Sequence, residues 1–184
     1  YSVGTGSHNT CIGVSAGIAA DGDNNTLVGS HAGTVLTDGP GNTLIGKSAG
    51  AAMTTCDYNV AIGYQALDAL TVNSHDNIAI GTNALSGQAL EAANATTNSI
   101  AIGRDALGIQ NHAAAINMAI GFNAGDAVTT GTENVLIGHE AGSTLAASSG
   151  TTGDHNTAVG YNALKMATGV SNTASGCESL AKVA

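Results

Sequence analysis

Asn42-Thr43-Leu44-Ile45-Gly46-Lys47-Ser48-Ala49-Gly50, followed at nearly the same pitch by Asn59-Val60-Ala61-Ile62-Gly63-Tyr64-Gln65-Ala66-Leu67, decides the architecture of this chain. Both stretches read Asn, three core-type residues, Gly, two variable residues, Ala, then Gly or Leu. The same unit starts at Asn9, Asn25, Asn77, Ser99, Asn117, Asn134, Asn156 and Asn172, giving ten copies. The glycines that close the triplets are Gly13, Gly29, Gly46, Gly63, Gly81, Gly103, Gly121, Gly138, Gly160 and Gly176. They are spaced by 16 to 22 residues. A fixed period of this length is the mark of a stacked repeat in which each unit covers its neighbour.

A three-residue apolar run rich in β-branched residues and stopped by Gly predicts a strand. Strands are expected near 10–12, 26–28, 43–45 and their equivalents. Four residues beyond the repeat Ala a further apolar residue often follows (Leu36, Met53, Leu70, Val128, Leu145), which predicts a second short strand. Polar stretches such as Asp38-Gly39-Pro40-Gly41 read as turns. The whole is an all-β parallel β-solenoid, a β-roll of about ten rungs forming one repeat domain over residues 1–184. At about 4.8 Å per rung the rod is roughly 50 Å long. The Asn at nine of the ten openings is expected to stack into an amide ladder, and the Gly to serve a turn or a close approach.

Alternate residues of a strand face opposite ways, and here both faces are apolar, so both are expected to be covered. The Ile/Val column is assigned to the lumen. The middle residues Leu27, Leu44, Ala61, Ala79, Ala101, Ala119, Leu136 and Ala158 are assigned to contacts between chains. On that assignment Ile80→Asp or Ile102→Asp is far more damaging than Asp38→Ser or Asp154→Ser.

Composition agrees with thin coils. Leu, Ile, Val and Phe number 12, 12, 11 and 1, while Ala reaches 33 and Gly 26 in 184 residues. Small side chains suit a narrow lumen better than a conventional core. The net charge of −9, with only four basic residues, argues against nucleic acid as a partner. No apolar run is long enough for a transmembrane helix. Tyr1-Ser2-Val3-Gly4 already reads like part of a rung, so the sequence is expected to be a piece of a longer fibre.

Rungs such as Asn59-Val60-Ala61-Ile62-Gly63-Tyr64-Gln65-Ala66-Leu67 and Asn156-Thr157-Ala158-Val159-Gly160-Tyr161-Asn162-Ala163-Leu164 resemble phage tail-fibre shaft repeats. They also resemble the YadA-like head repeats of trimeric autotransporter adhesins. The resemblance covers essentially the whole chain, and the longer unit leans toward the phage type. It implies a left-handed β-roll wound with two identical chains into a homotrimer. It also implies an extracellular place, on a virion fibre or a bacterial surface, and a structural or adhesive role in attachment to a host or target cell. Independently, one chain alone would leave an apolar stripe along its length, which soluble monomers rarely carry.

No catalytic constellation is visible, and the chain is read as a non-enzyme without cofactor or metal. The six histidines are scattered, and four of them (His8, His75, His112, His155) fall in turns between rungs. Asp21-Gly22-Asp23-Asn24-Asn25 lacks the spaced carboxylates of a calcium loop and reads as a polar turn. Cys11, Cys56 and Cys177 form neither a disulfide framework nor a metal pattern. Tyr64, Phe122 and Tyr161 share the slot after the rung Gly. They are the candidate receptor or glycan contacts, weighed against plain packing between rungs. Insertions within Gly87–Thr97 and Ala146–Asp154 would leave the stack as loops. Two other functions fit the sequence less well. Ice binding needs an unbroken Thr array, which Val60, Ile78, Ile100, Met118 and Val135 interrupt. A polysaccharide-degrading solenoid needs paired carboxylates, and none recur at one position.

Overall fold

The computed structural model describes residues 5–87, 97–109, 116–145, 153–166 and 169–181. Among them ten three-residue strands form a single parallel sheet in sequence order, and no helix is present. They are β1 (Thr10–Ile12), β2 (Thr26–Val28), β3 (Thr43–Ile45), β4 (Val60–Ile62) and β5 (Ile78–Ile80). β6 (Ile100–Ile102), β7 (Met118–Ile120), β8 (Val135–Ile137), β9 (Thr157–Val159) and β10 (Thr173–Ser175) follow. Equivalent residues pair throughout, for example Leu44 with Ala61 and Ala61 with Ala79. The chain is a parallel β-solenoid, as its period predicts.

The direction of the strand faces is the reverse of the sequence-based expectation. Leu27, Leu44, Ala61, Ala79, Ala101, Ala119, Leu136 and Ala158 are fully buried and line the lumen. The flanking columns look outward: Ile45 is 36 % exposed, Ile62 37 % and Val159 40 %. Ile80 and Ile102 are only partly buried on this outer face, so an aspartate at either position would face outward and not enter the lumen, contrary to the expectation from sequence. The reason is volume. The repeat alanines Ala32, Ala49, Ala66, Ala84, Ala106, Ala124, Ala141 and Ala163 already fill the lumen from the turn side, as do the apolar residues four positions beyond some of them. One strand residue per rung closes the remaining space, and two branched ones would overfill it.

The second strand does not form either. Leu36, Met53, Leu70, Val128 and Leu145 are buried as expected, but their backbone runs through turns and bends. Two residues between the rung Gly and this position take left-handed φ, as at Gln65 (54°) and Leu67 (54°), so the chain curls too tightly for a regular ladder. Rung-to-rung bonds persist nonetheless: the Gly50 amide donates to the Ala66 carbonyl at 2.9 Å and Thr54 to Thr71 at 2.8 Å.

Lumen filling follows a rule of exchange. Where the strand centre is Leu (Leu27, Leu44, Leu136), the residue after the repeat Ala is Gly (Gly33, Gly50, Gly142). Where the centre is Ala61, Ala79, Ala101 or Ala158, that residue is Leu67, Leu85, Leu107 or Leu164, each buried. These leucines hold φ of 50–54°, a left-handed conformation that L-residues adopt only at a cost. Burial of the side chain offsets that cost. Rung seven has both Ala119 and Gly125. A Cβ on Gly125 would lie 2.7 Å from Leu136 and 3.1 Å from Leu107, so the adjacent rungs lean in to fill the space.

The amide ladder is present and has a second component. Each Asn side-chain oxygen accepts the next rung's backbone N–H, at 2.8 Å for Asn42 onto Asn25 and 3.0 Å for Asn59 onto Asn42. The next amide group donates to the same oxygen, at 3.2 Å in both cases. The break falls at Ser99, whose hydroxyl accepts the Asn117 backbone N–H at 3.3 Å. The rung Gly satisfies both reasons for glycine: Gly63 has φ of 143°, and a Cβ there would sit 2.4 Å from the Gly81 carbonyl oxygen.

Candidate interaction surface

Two outward columns run along the sheet face. The first carries Thr10, Thr26, Thr43, Val60, Ile78, Ile100, Met118, Val135, Thr157 and Thr173. The second carries Ile12, Val28, Ile45, Ile62, Ile80, Ile102, Ile120, Ile137, Val159 and Ser175. In-register parallel pairing holds every member of a column on one line, so the apolar residues merge into a continuous stripe. Along its first column, Ile100, Met118 and Val135 line an open cleft of about 540 Å³ together with Asn98, Ile116 and Glu133. Among the described residues the apolar face open to partner chains is therefore the Ile/Val face, not the buried Leu/Ala column.

The slot after the rung Gly forms a further line at the edge of this face. Phe122 meets His139 with ring centroids 5.1 Å apart, and His139 meets Tyr161 at 5.2 Å. The Arg104 guanidinium lies 4.4 Å from the centre of the Phe122 ring. Phe122 and Tyr161 are thus brought into one stack. Tyr64 is not part of it: Thr82 and Arg104 intervene, and its ring sits under the Lys47 ammonium at 5.7 Å. Sequence reasoning missed His139 as the bridging ring, although its position directly after Gly138 places it in the same slot.

The adjacent position carries polar groups: Gln65, Asn83, Asp105, Asn123, Glu140 and Asn162, all with left-handed φ. Asn83 donates to the Asp105 carboxylate at 2.9 Å, and Arg104 pairs with Asp105 at 3.4 Å. Lys165 donates to Glu140, which holds the Glu140 carboxyl below its usual range and raises the lysine. Among the described residues, the Asn162 side-chain oxygen is the buried side-chain polar atom left without a hydrogen-bond partner.

Partial burial pushes the Asp126 carboxyl up; a backbone hydrogen bond from Ala127 opposes this, and the charges of Glu140 and Asp105 add to it. For a carboxyl raised in the fold, ionisation is disfavoured relative to the unfolded chain. The penalty is present above the folded pKa and disappears as pH falls below the unfolded value. Asp126→Asn is expected to raise the melting temperature at pH 7 and leave it unchanged at pH 3. Melts at the two pH values check this, and a lower melting temperature at pH 7 would contradict it.

The remaining candidates occupy structural roles. Asp21 accepts the Thr5 amide and Asp23 the Ser7 amide, each at 2.6 Å, so this stretch ties turns of adjacent rungs together. His75 pairs with Asp76 at 2.9 Å and His155 with Glu133 at 3.2 Å. Among the described residues no three His, Cys, Asp or Glu side chains gather as metal ligands. No described helix is long and apolar enough to cross a membrane. The three cysteines are unpaired, and burial raises the Cys56 thiol. His112 and the bulk of both insertions lie outside the described residues. No protein-family model, curated protein or solved structure matches the chain.

Proposed function

We propose that this chain is a segment of an extracellular structural and adhesive fibre, in which three identical left-handed coils pack through their outward Ile/Val columns. The observation that carries the reading is the exposed stripe itself. Ile45, Ile62 and Val159 are each at least 36 % exposed on a rigid, in-register sheet. Apolar patches of that extent mark interaction sites. Three chains around a shared axis form a closed ring of heterologous contacts and leave no stripe open. The number three and the virion or bacterial surface location follow from the resemblance of the rungs to tail-fibre shafts and trimeric adhesin heads. Such a rod would hold or present a surface for attachment to a target cell.

The test is a pair of charges on the stripe. Ile80→Asp with Ile102→Asp is expected to abolish the trimer, because assembly would desolvate unpaired carboxylates. Ala79→Asp should instead prevent folding, since Ala79 lies in the lumen. Size-exclusion chromatography with light scattering reads the first variant and circular dichroism the second. An unchanged mass for the double variant would sink the interface. The outward threonines Thr10, Thr26, Thr43, Thr157 and Thr173 favour ice binding as the second reading of the same face. Thermal hysteresis from the wild-type chain would support that reading in place of the fibre.

A further inference from the structure

We infer that the line Arg104–Phe122–His139–Tyr161, with its neighbouring row of carboxylates and amides, is a binding strip for a neutral polysaccharide laid along the solenoid axis. This gives the adhesive part of the proposed function a place and a ligand class, and it does not depend on the trimer.

Three features of the strip point to that chemistry. The rings recur once per rung on a hydrogen-bonded backbone, with successive centroids 5.1 and 5.2 Å apart, so the strip is linear, periodic and fixed before any ligand arrives. A partner matched to it is itself an extended chain of repeating units. Packing between rungs accounts for the contacts among the rings but leaves much of the strip open: Tyr161 is 46 % exposed. Sugar rings offer C–H faces to aromatic surfaces and hydroxyls at their rims. The row beside the aromatics supplies acceptors for those hydroxyls in the carboxylates of Asp105 and Glu140, whose oxygens have lone pairs beyond those taken by Asn83 and Lys165.

Charge selects a neutral chain. Arg104 is engaged by Phe122 and Asp105, and Lys165 by Glu140, so these two cations already have their counterparts. The chain carries a net charge of −9, which repels polyanions. Single contacts of this kind are weak, and affinity would come from several rungs engaging one chain at once. Tyr64, isolated from the stack under Lys47, is left outside the strip.

The experiment is an array of neutral bacterial, plant and animal glycans, with heparin and polysialic acid as anionic arms. It is probed with the labelled wild-type chain and with Phe122→Ala, Tyr161→Ala and Tyr161→Phe. Binding to at least one neutral glycan is expected. Each alanine variant should weaken it about tenfold or more, while Tyr161→Phe, which keeps the ring, should retain most of it. Circular dichroism and oligomer mass are recorded on every sample. No neutral glycan bound, binding to the anionic arms alone, or equal binding by the alanine variants would overturn the strip. Loss of glycan binding through dissociation would also overturn it, and would mark the strip as a contact between chains. A monomer that still binds glycan would overturn the trimer and leave the strip standing.

Discussion

Leu44→Ala is expected to destabilise the chain by about 3 kcal/mol, and adding Gly50→Leu is expected to recover most of that loss. Leu44 is fully buried and fills the lumen of its rung. Removing it leaves a void that a stacked coil can close only by shifting its neighbours. Gly50→Leu alone should also destabilise, by roughly 1–3 kcal/mol. A Cβ at Gly50 would lie 2.6 Å from the Met53 sulfur and 2.7 Å from a Leu44 methyl. Together the two changes convert this rung into the arrangement already used next to it, with Ala61 in the strand and Leu67 in the turn. The left-handed φ of 59° at Gly50 is close to the 54° that Leu67 adopts, so the backbone needs little adjustment. Urea melts of the two single variants and the double variant measure the coupling. Simple additivity of the two losses would contradict the exchange rule.

Asn59→Ala is expected to cost about 3–5 kcal/mol, more than a typical surface substitution by a wide margin. Its side-chain oxygen accepts the Asn77 backbone N–H at 3.1 Å and the Asn77 amide at 3.0 Å. Its own amide donates to the Asn42 oxygen at 3.2 Å and to the Asp57 and Ser74 carbonyls at 2.9 Å each. Asn59 is fully buried and most of these bonds are too, so truncation orphans several polar groups on both adjacent rungs. Asn59→Ser should cost clearly less, because Ser99 occupies the equivalent position and its hydroxyl still accepts the following rung's backbone N–H. Thermal or chemical melts rank the variants. Equal losses for Ala and Ser would show that the ladder bond to the next rung contributes little.

Repeat, strand positions, parallel stacking, amide ladder and glycine column were legible because each follows from a period and a residue type. Gly63 illustrates it: nothing but the absence of a side chain fits where the next rung passes at this distance. Strand direction was not legible, since Thr43-Leu44-Ile45 is apolar on both faces and alternation alone does not say which face turns inward. The deciding quantity was the space left by the turn side of the coil, set by Ala49, Gly50 and Met53 acting together. The exchange of Leu44 with Gly50 for Ala61 with Leu67 is written in the sequence. Its meaning needs the knowledge that both positions point into one lumen.

The candidate strip was half legible. Tyr64, Phe122 and Tyr161 share a slot, and that much the spacing predicts. Whether they touch depends on which rungs lie between them. His139 joins two of them, whereas Thr82 and Arg104 separate the third. The unpartnered oxygen of Asn162 has no sequence signal, because its isolation depends on how the neighbouring rungs close around it.

The mass of the wild-type chain in solution, by sedimentation equilibrium at micromolar concentration, tests the central claim most directly. A subunit of 17.8 kDa with its Ile/Val stripe buried between chains should sediment as a single species of three times that mass. Folding and assembly should then be lost together on dilution or denaturation. A well-folded species of 17.8 kDa would contradict the account, because the outward Ile/Val columns would then be stable in contact with water.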